Sequence, residues 1–190
     1  MSEIGVFVRL LARLRVSLGF VCAVLVWILA EPTGPTLLVG TAIAAVGEVI
    51  RIWAAGHLNK AREVTASGPY RWVAHPLYIG SSVMGVGLAV ASGSVLVAVL
   101  VALYLGVSLT AAIKSEEAFL RGVFGDSYDL YRERGLVDAR RRFSIARAIA
   151  NREYRAIVGL VFAVLLLALK ATYNGSFWQT AGAGLFKPGG

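Results

Sequence analysis

Two long apolar segments of the chain are separated by the polar stretch Gly68-Pro69-Tyr70-Arg71-Trp72-Val73-Ala74-His75-Pro76-Leu77-Tyr78-Ile79-Gly80. Gly68-Pro69 is a turn signal. Pro76 suits the first turn of a helix, because the N–H that proline lacks is not needed there. His75 therefore stands directly before the free N–H groups of a helix that enters apolar surroundings. A polar break of this kind predicts a chain that turns back into a membrane, with His75 as a candidate functional residue.

The composition indicates an integral membrane protein. Of the 190 residues, 57% are hydrophobic and only 16% are charged, and the mean hydropathy is +0.71. A soluble domain would be about a quarter charged. The net charge is +8, but 17 of the 19 basic residues fall on one predicted face. This distribution follows the positive-inside rule and places that face in the cytoplasm, so we expect no nucleic-acid partner. The single Cys22 provides neither a disulfide framework nor a cysteine metal site, and no metal site is predicted.

The fold class that the pattern predicts is all-α, a polytopic membrane helical bundle in one domain of residues 1–190. A bilayer is crossed by about 20 apolar residues in a helix. The predicted spans are 16–30, 36–56, 76–91, 95–113 and 154–171. Five spans put the N-terminus inside and the C-terminus outside, in the plasma (inner) membrane. Residues 1–15 are expected on the membrane surface, 114–153 as a cytoplasmic amphipathic segment, and 172–190 as a loosely ordered tail.

The second span contains two charged residues and ends at a histidine. Glu48 and Arg51 are spaced i, i+3 and therefore share one helix face. They form either a mutually neutralised structural pair or, since charges at membrane depth usually face a cavity, the edge of a polar cavity. His57 either reaches the same cavity or packs at the interface.

Two polar clusters are expected to meet on the cytoplasmic face. The turn Ser92-Gly93-Ser94 makes a hairpin of spans three and four, which returns Glu116 and Glu117 to the face that holds His75. Adjacent carboxylates repel when buried, and a cation relieves this repulsion. A helix N-terminus beside a histidine suits a carboxylate. The clusters together suit a zwitterionic ligand with an amino and a carboxylate group. The alternative is helix capping with tyrosine and tryptophan as interfacial anchors.

The polar segment adds a helix with a break and a run of arginines. Its apolar positions are typical of an amphipathic helix that is interrupted around Gly125-Asp126. Arg140-Arg141-Arg142 is interpreted as a contact for anionic lipid. Arg132 and Arg134 are candidate contacts for an anionic lipid headgroup, with a solvated cationic face as the alternative.

The two clusters carry a resemblance to a known family. Gly68-Pro69-Tyr70-Arg71-x-x-x-His75-Pro76-x-Tyr78-x-Gly80, an apolar hairpin, and Glu116-Glu117-x-x-Leu120-x-x-x-Phe124-Gly125-x-x-Tyr128-x-x-Tyr131 resemble the isoprenylcysteine carboxyl methyltransferases. The phospholipid methyltransferases belong to the same broad group. The resemblance covers about Arg51–Arg134. It implies an integral membrane enzyme that transfers a methyl group from S-adenosylmethionine to a lipidic acceptor, either an isoprenoid or prenylcysteine-type carboxylate or a phospholipid amine.

The resemblance also implies roles for individual residues. The implied cofactor-binding residues are Tyr70, His75, Pro76, Leu77, Tyr78, Gly80, Glu116 and Glu117, and the candidate catalytic residues are Glu116, Arg71 and Arg132. His75 and the backbone after Pro76 would bind the methionine portion of the donor. The family has an arginine directly before His-Pro where this chain has Ala74. Either Arg71 supplies that charge or the loop is held differently.

Two other function classes are alternatives to the methyltransferase. One is a membrane reductase of the sterol-reductase type that uses NADPH, and the other is a non-catalytic lipid-binding membrane protein. The short polar segment and the Glu116-Glu117 pair favour the methyltransferase, which uses a methyl donor. The sequence leaves open which lipid accepts the methyl group, at oxygen or nitrogen, and how many copies of the chain assemble.

Overall fold

The computed structural model describes residues 19–59, 63–133 and 141–177. Within these ranges the chain is helical and has no strand, which confirms the all-α prediction. The helices are α1 Gly19–Leu29, α2 Gly34–His57, α3 Pro76–Ala91, α4 Val95–Phe124, α5 Asp126–Arg132, α6 Ile145–Ala150 and α7 Tyr154–Tyr173, with a short 3-10 helix, Gly68–Arg71, before α3. The predicted surface segment 1–15, Arg134, Arg140 and most of the tail lie outside the described residues.

The antiparallel pair α2 and α3 forms the centre of the bundle. Each helix presents a stripe spaced i, i+4, i+7, i+11: Gly40, Ala44, Gly47 and Arg51 on α2, and Gly80, Met84, Gly87 and Ala91 on α3. The two backbones touch along these stripes, since a Cβ on Gly87 would lie 2.6 Å from the Gly40 carbonyl oxygen and one on Gly47 would lie 2.6 Å from that of Gly80. Small residues of this spacing allow membrane helices to approach this closely.

Helix α4 is longer than the predicted fourth span. It does not stop near residue 113 but continues to Phe124, so Glu116 and Glu117 lie on the same continuous helix as the apolar span. Thirty residues of helix measure about 45 Å, whereas the hydrocarbon core is about 30 Å thick. The last turns of α4 therefore project beyond the membrane. Gly125, with a φ of +49°, ends the helix where an interruption was expected and starts α5.

Three described helices are long and apolar enough to cross a membrane, namely α2, α4 and α7. The described part of α1 and helix α3 are apolar but shorter. Large apolar side chains face outward, among them Val95 at 82% exposure and Leu38 at 75%, as lipid-facing residues do. The chain is therefore an integral membrane protein, while its division into five spans remains a prediction. Thr172 and Tyr173, assigned to the tail, belong to α7.

The segment that precedes α7 covers the end of α2. Four consecutive carbonyl groups at the C-terminal end of a helix have no partner within that helix. Here Asn151 Nδ2 donates to the carbonyls of Ala55 and Leu58, both at 2.9 Å, and the Ser144 N–H donates to that of Gly56 at 3.1 Å. Residues 144–151 thus supply hydrogen-bond donors to the end of α2. We call the end of α2, the start of α3 and the last turns of α4 the polar end of the bundle.

The close contact between α2 and α3 yields a stability prediction. Gly87→Ala places a methyl group against the Ala44 backbone, where no flexible side chain can yield. We expect it to destabilise the protein by about 1–3 kcal/mol, as overpacking does, and to lower the thermal unfolding temperature in detergent. Gly106→Ala on α4 is the matched control, because a Cβ there has nothing within 4 Å. Equal unfolding temperatures for the two variants would contradict the packing described here.

Candidate functional site

A cavity of about 600 Å³ lies at the polar end of the bundle. Pockets for small molecules have volumes of about 300–1,000 Å³. Its walls come from α2, the loop before α3, α3, α4, α5 and the corner before α7, and its ionisable lining includes Arg51, Glu63, His75, Glu116 and Glu153. Apolar lining from α4, including Phe119 and Leu120, lies alongside these groups. The cavity therefore combines a charged wall with an apolar one.

His75 lies between the two carboxylates of α4. It is the residue that directly precedes α3, and its Nε2 is 3.3 Å from Glu117 Oε1 while its Nδ1 is 3.7 Å from Glu116 Oε2. The hairpin of α3 and α4 makes this meeting possible, because it returns residues 116–117 to the start of α3. The structure thus brings together the two clusters that the sequence analysis grouped.

The two carboxylates have different partners. Glu117 Oε1 also forms an ion pair with Arg132 Nη1 at 3.0 Å, so Glu117 lies between a histidine and a guanidinium. The Arg132 side chain is exposed and bridges α5 to α4. The Glu116 side chain is 40% exposed and lines the cavity. Glu116 is therefore the carboxylate of the pair that faces the cavity, and Arg132 is paired with its neighbour Glu117.

The other residues predicted to bind the methyl donor either line the cavity or pack within the bundle. Tyr70, Leu77 and Tyr78 line the cavity, and the rings of Tyr78 and His75 have centroids 5.6 Å apart. Pro76 is buried in the first turn of α3. Gly80 faces α2 instead, since a Cβ there would lie 2.6 Å from Arg51 Cγ. The contribution of Gly80 to the site is thus the close packing that it allows.

Arg71 lies away from the position expected for it. Its side chain is exposed and outside the lining of the cavity, whereas Ala74 is part of that lining. Arg71 thus does not supply a charge to the place where the family has its arginine. The loop is instead held by a hydrogen bond from α5, in which the Tyr131 hydroxyl donates to the Tyr70 carbonyl at 2.9 Å.

Three tyrosines form the buried base of the cavity. Tyr70, Tyr128 and Tyr131 pack with Ala54 and Ala66. Burial raises the pKa of Tyr131 to about 12 and also raises those of Tyr70 and Tyr128. All three hydroxyls therefore remain protonated at physiological pH and can act as donors. Tyr128 is 1% exposed, and its hydroxyl has no hydrogen-bond partner among the described residues.

Sequence reasoning missed Glu153. This buried residue lines the cavity, and its Oε1 is 2.7 Å from Arg51 Nε. Glu48 Oε2 is 3.6 Å from the same nitrogen but lies outside the lining, so Arg51 rather than Glu48 faces the cavity. The only signal for Glu153 was a carboxylate directly before the last apolar segment. Its partner, Arg51, is 102 positions earlier, and sequence spacing does not predict a contact over that separation.

Two further predictions were about residues near the cavity. His57 is buried, its Nδ1–H donates to the Trp53 carbonyl at 3.0 Å, and its ring packs on Phe143, which agrees with the packing alternative. Arg141 does not point to lipid as expected but donates to Glu63 Oε2 at 2.8 Å. That ion pair closes one edge of the cavity.

The fold and the cavity define an integral membrane helical protein with a cavity of small-molecule size at its polar end. Residues 35–127, just under half of the chain, match the phospholipid methyltransferase family. The segment includes His75, Glu116 and Glu117. It ends before Tyr128, Tyr131 and Glu153, which therefore lie outside the family match.

Two curated relatives match half of the chain. It is 31% identical over 94 residues to the protein-S-isoprenylcysteine O-methyltransferase of Schizosaccharomyces pombe, over 50% of this chain and 40% of that protein. It is 33% identical over 97 residues to the nickel-cobalt-cadmium resistance protein NccN of Alcaligenes xylosoxydans xylosoxydans, over 50% of this chain and 44% of that protein. The matches thus span less than half the length of each relative. No solved structure matches the chain.

The tyrosine base yields a prediction with an internal control. Tyr131→Phe leaves the buried Tyr70 carbonyl without its donor, which costs about 1–3 kcal/mol. Tyr128→Phe removes a hydroxyl without a protein partner, so we expect the ligand-free protein to keep its unfolding temperature. Thermal unfolding in detergent compares the two variants. A larger loss for Tyr128→Phe than for Tyr131→Phe would be inconsistent with this network.

Proposed function

We propose that the chain is a membrane methyltransferase that transfers a methyl group from S-adenosylmethionine to a lipidic acceptor. The observation that carries the proposal is the placement of His75, at the start of α3, between Glu116 and Glu117 on the wall of a cavity. These residues lie in the segment that matches the phospholipid methyltransferase family. The relative from Schizosaccharomyces pombe, named as an isoprenylcysteine O-methyltransferase, supports the same reaction class.

The residues fit the polar groups of the donor. The first turn of α3 carries the positive end of its helix dipole, which suits the carboxylate of the methionine portion. Glu116 supplies a negative charge for the amino group. The Tyr128 hydroxyl, buried and without a protein partner among the described residues, is a donor for a polar atom of a bound molecule. Tyr70 and Tyr78 provide faces against which a flat ring can pack.

The apolar wall fits a lipidic acceptor. Leu58, Val64, Phe119 and Leu120 are among the apolar residues that line the cavity. These side chains suit an acyl or prenyl chain, since burial of apolar surface is favourable by about 25 cal/mol per Å². The basic residues near this end support a cytoplasmic orientation in the plasma (inner) membrane, with the donor arriving from the cytoplasm.

The protein's part in the reaction is alignment and exclusion of water. When bound, S-adenosylmethionine supplies an electrophilic methyl group on a positively charged sulfur. Glu116 and His75 hold one end of the site, and the buried tyrosines exclude water from it. Holding the reacting atoms in line and in a dry site accounts for several kcal/mol of a displacement barrier. No contact in the described site specifically favours the NADPH-dependent reductase or the non-catalytic lipid-binding protein.

Binding of radiolabelled S-adenosylmethionine to the purified protein tests the proposal. His75→Ala and Glu116→Gln each remove one charged or hydrogen-bonding contact worth about 1.5–3 kcal/mol, so we expect the affinity to fall about 10-fold or more. Arg71→Gln is the control, because its exposed side chain lies outside the cavity, and we expect its affinity to stay within about twofold of the original. Absence of saturable binding to the original protein would refute the proposed function.

A further inference from the structure

Helix α6 lies at the depth where the bundle meets the membrane surface. Helices α2 and α7 are both long and apolar enough to cross a membrane, and they run antiparallel. At one end Ser176, just after α7, donates to the Pro32 carbonyl at 2.7 Å. At the other end Glu153, just before α7, pairs with Arg51 of α2. Because α6 packs on the end of α2 and leads into the start of α7, it is held at the membrane boundary at the polar end of the bundle.

An apolar face of α6 is exposed at this boundary. Ile145 and Ile149 are spaced i, i+4 and therefore share one side of the helix. They are 62% and 58% exposed, whereas Ala148 is buried. A helix of six residues is about 9 Å long, so it cannot cross a hydrocarbon core of about 30 Å. An exposed apolar face on such a helix is typical of one that lies in the plane of the membrane interface.

The five arginines between positions 141 and 155 divide into two groups. Two of them are used within the protein, since Arg141 forms the ion pair at the edge of the cavity and Arg147 donates to the Arg142 carbonyl at 2.8 Å. The side chains of Arg142, Arg152 and Arg155 are exposed. None of these three has an ion-pair partner among the residues that the structure describes. Three positive charges therefore point outward beside the apolar face of α6.

No exposed carboxylate of the same segment balances these charges. Glu153 is the only acidic residue between positions 141 and 155. It is 6% exposed, and its carboxylate is directed at Arg51. An arginine keeps its charge at physiological pH, and its planar fork of donors matches the oxygens of a phosphate. At the depth of the lipid headgroups, this surface is complementary to an anionic phospholipid in preference to a zwitterionic one.

We propose that residues 142–155 form a binding surface for anionic phospholipids, in the leaflet at the polar end of the bundle. Arg142, Arg152 and Arg155 contact the headgroup phosphates, and the exposed isoleucines of α6 insert among the acyl chains beneath them. Of the arginine run that was expected to contact anionic lipid, Arg142 has this role and Arg141 does not. The proposal concerns lipid at the rim of the protein and does not rest on the proposed function.

The lipid-binding surface shares its backbone with a wall of the cavity. Arg152 lies between Asn151 and Glu153, which both line the cavity. Its φ of +63° is a value that side chains other than glycine adopt rarely. Asn151 donates to two carbonyls at the end of α2, which fixes one side of this corner. One short segment thus faces lipid with Arg152 and faces the cavity with the two neighbours of Arg152.

Spin-labelled phosphatidylglycerol and phosphatidylcholine, compared in bilayers of phosphatidylcholine that contain the full chain, test the charge preference. One arginine at a membrane surface favours an anionic lipid about fivefold, so we expect the protein to prefer phosphatidylglycerol by about that factor or more. Replacing Arg142, Arg152 and Arg155 together by glutamine should lower the preference to about twofold or less. Replacing them by lysine keeps the charges and should keep most of it. Arg121→Gln is the matched control for Arg155→Gln, because Arg121 is exposed on the part of α4 beyond the membrane and pairs with Asp129.

The insertion of α6 has a test of its own. In a chain whose cysteine is replaced by Cys22→Ala, a spin label attached at Ile149→Cys should collide with oxygen, which dissolves in lipid, more often than with a nickel chelate, which stays in water. The same label at Gly122→Cys should show the reverse. Gly122 is in the last turns of α4, and a Cβ there has nothing within 4 Å.

Several results would overturn the proposal. Equal association of the two lipids with the original protein is one, and an unchanged preference in the triple glutamine variant is another. A loss of preference in Arg121→Gln as large as that in Arg155→Gln would mean that net charge, and not this surface, attracts the lipid. A label at position 149 that meets the chelate freely would place α6 in water, and a label shielded from both reagents would mean that another protein surface covers it. If the triple variant does not fold, the comparison of Arg155→Gln with Arg121→Gln decides.

Discussion

The backbone contact between α2 and α3 is the constraint on which the site depends. Glycine and alanine on the facing stripes let the two helices touch, and the contact ends where Arg51 crosses over Gly80. Arg51 then reaches Ser81 on one side and Glu153 on the other. A side chain at position 80 would displace Arg51, and with it both of these contacts. The packing of the apolar half of the bundle thus sets the direction of a charged group in the polar half.

The polar end of the bundle supplies hydrogen-bond donors for the carbonyls that every helix leaves without partners at its C-terminal end. The last carbonyls of α2 would be costly if buried without donors. The chain supplies those donors from Ser144 and Asn151, which lie about ninety positions later. Because Glu153 follows two residues after Asn151, the contact that caps α2 also positions the Glu153 carboxylate at the cavity. Structural capping and the chemistry of the site therefore share one short segment.

The sequence predicted those features that depend on local pattern. Apolar runs and the distribution of basic residues gave the membrane class, and the proline after His75 marked the start of α3 correctly. The meeting of His75 with Glu116 and Glu117 followed from hairpin topology, which fixes which ends of two helices lie together. The ion pair of Arg51 with Glu153 and the buried Tyr128 hydroxyl, which has no hydrogen-bond partner among the described residues, were missed, since both depend on tertiary structure. Arg71, at the end of the 3-10 helix, is exposed and outside the cavity lining, a placement that spacing alone does not reveal.

The partners of the carboxylates divide the cavity into two halves with different origins in the chain. Glu117 is paired with Arg132, whereas Glu116 faces the cavity beside His75. That half lies within the family segment, residues 35–127. The other half depends on Arg51 from that segment and on Glu153 from beyond it. Glu153 therefore places a side chain from outside the family segment in the wall of the same cavity.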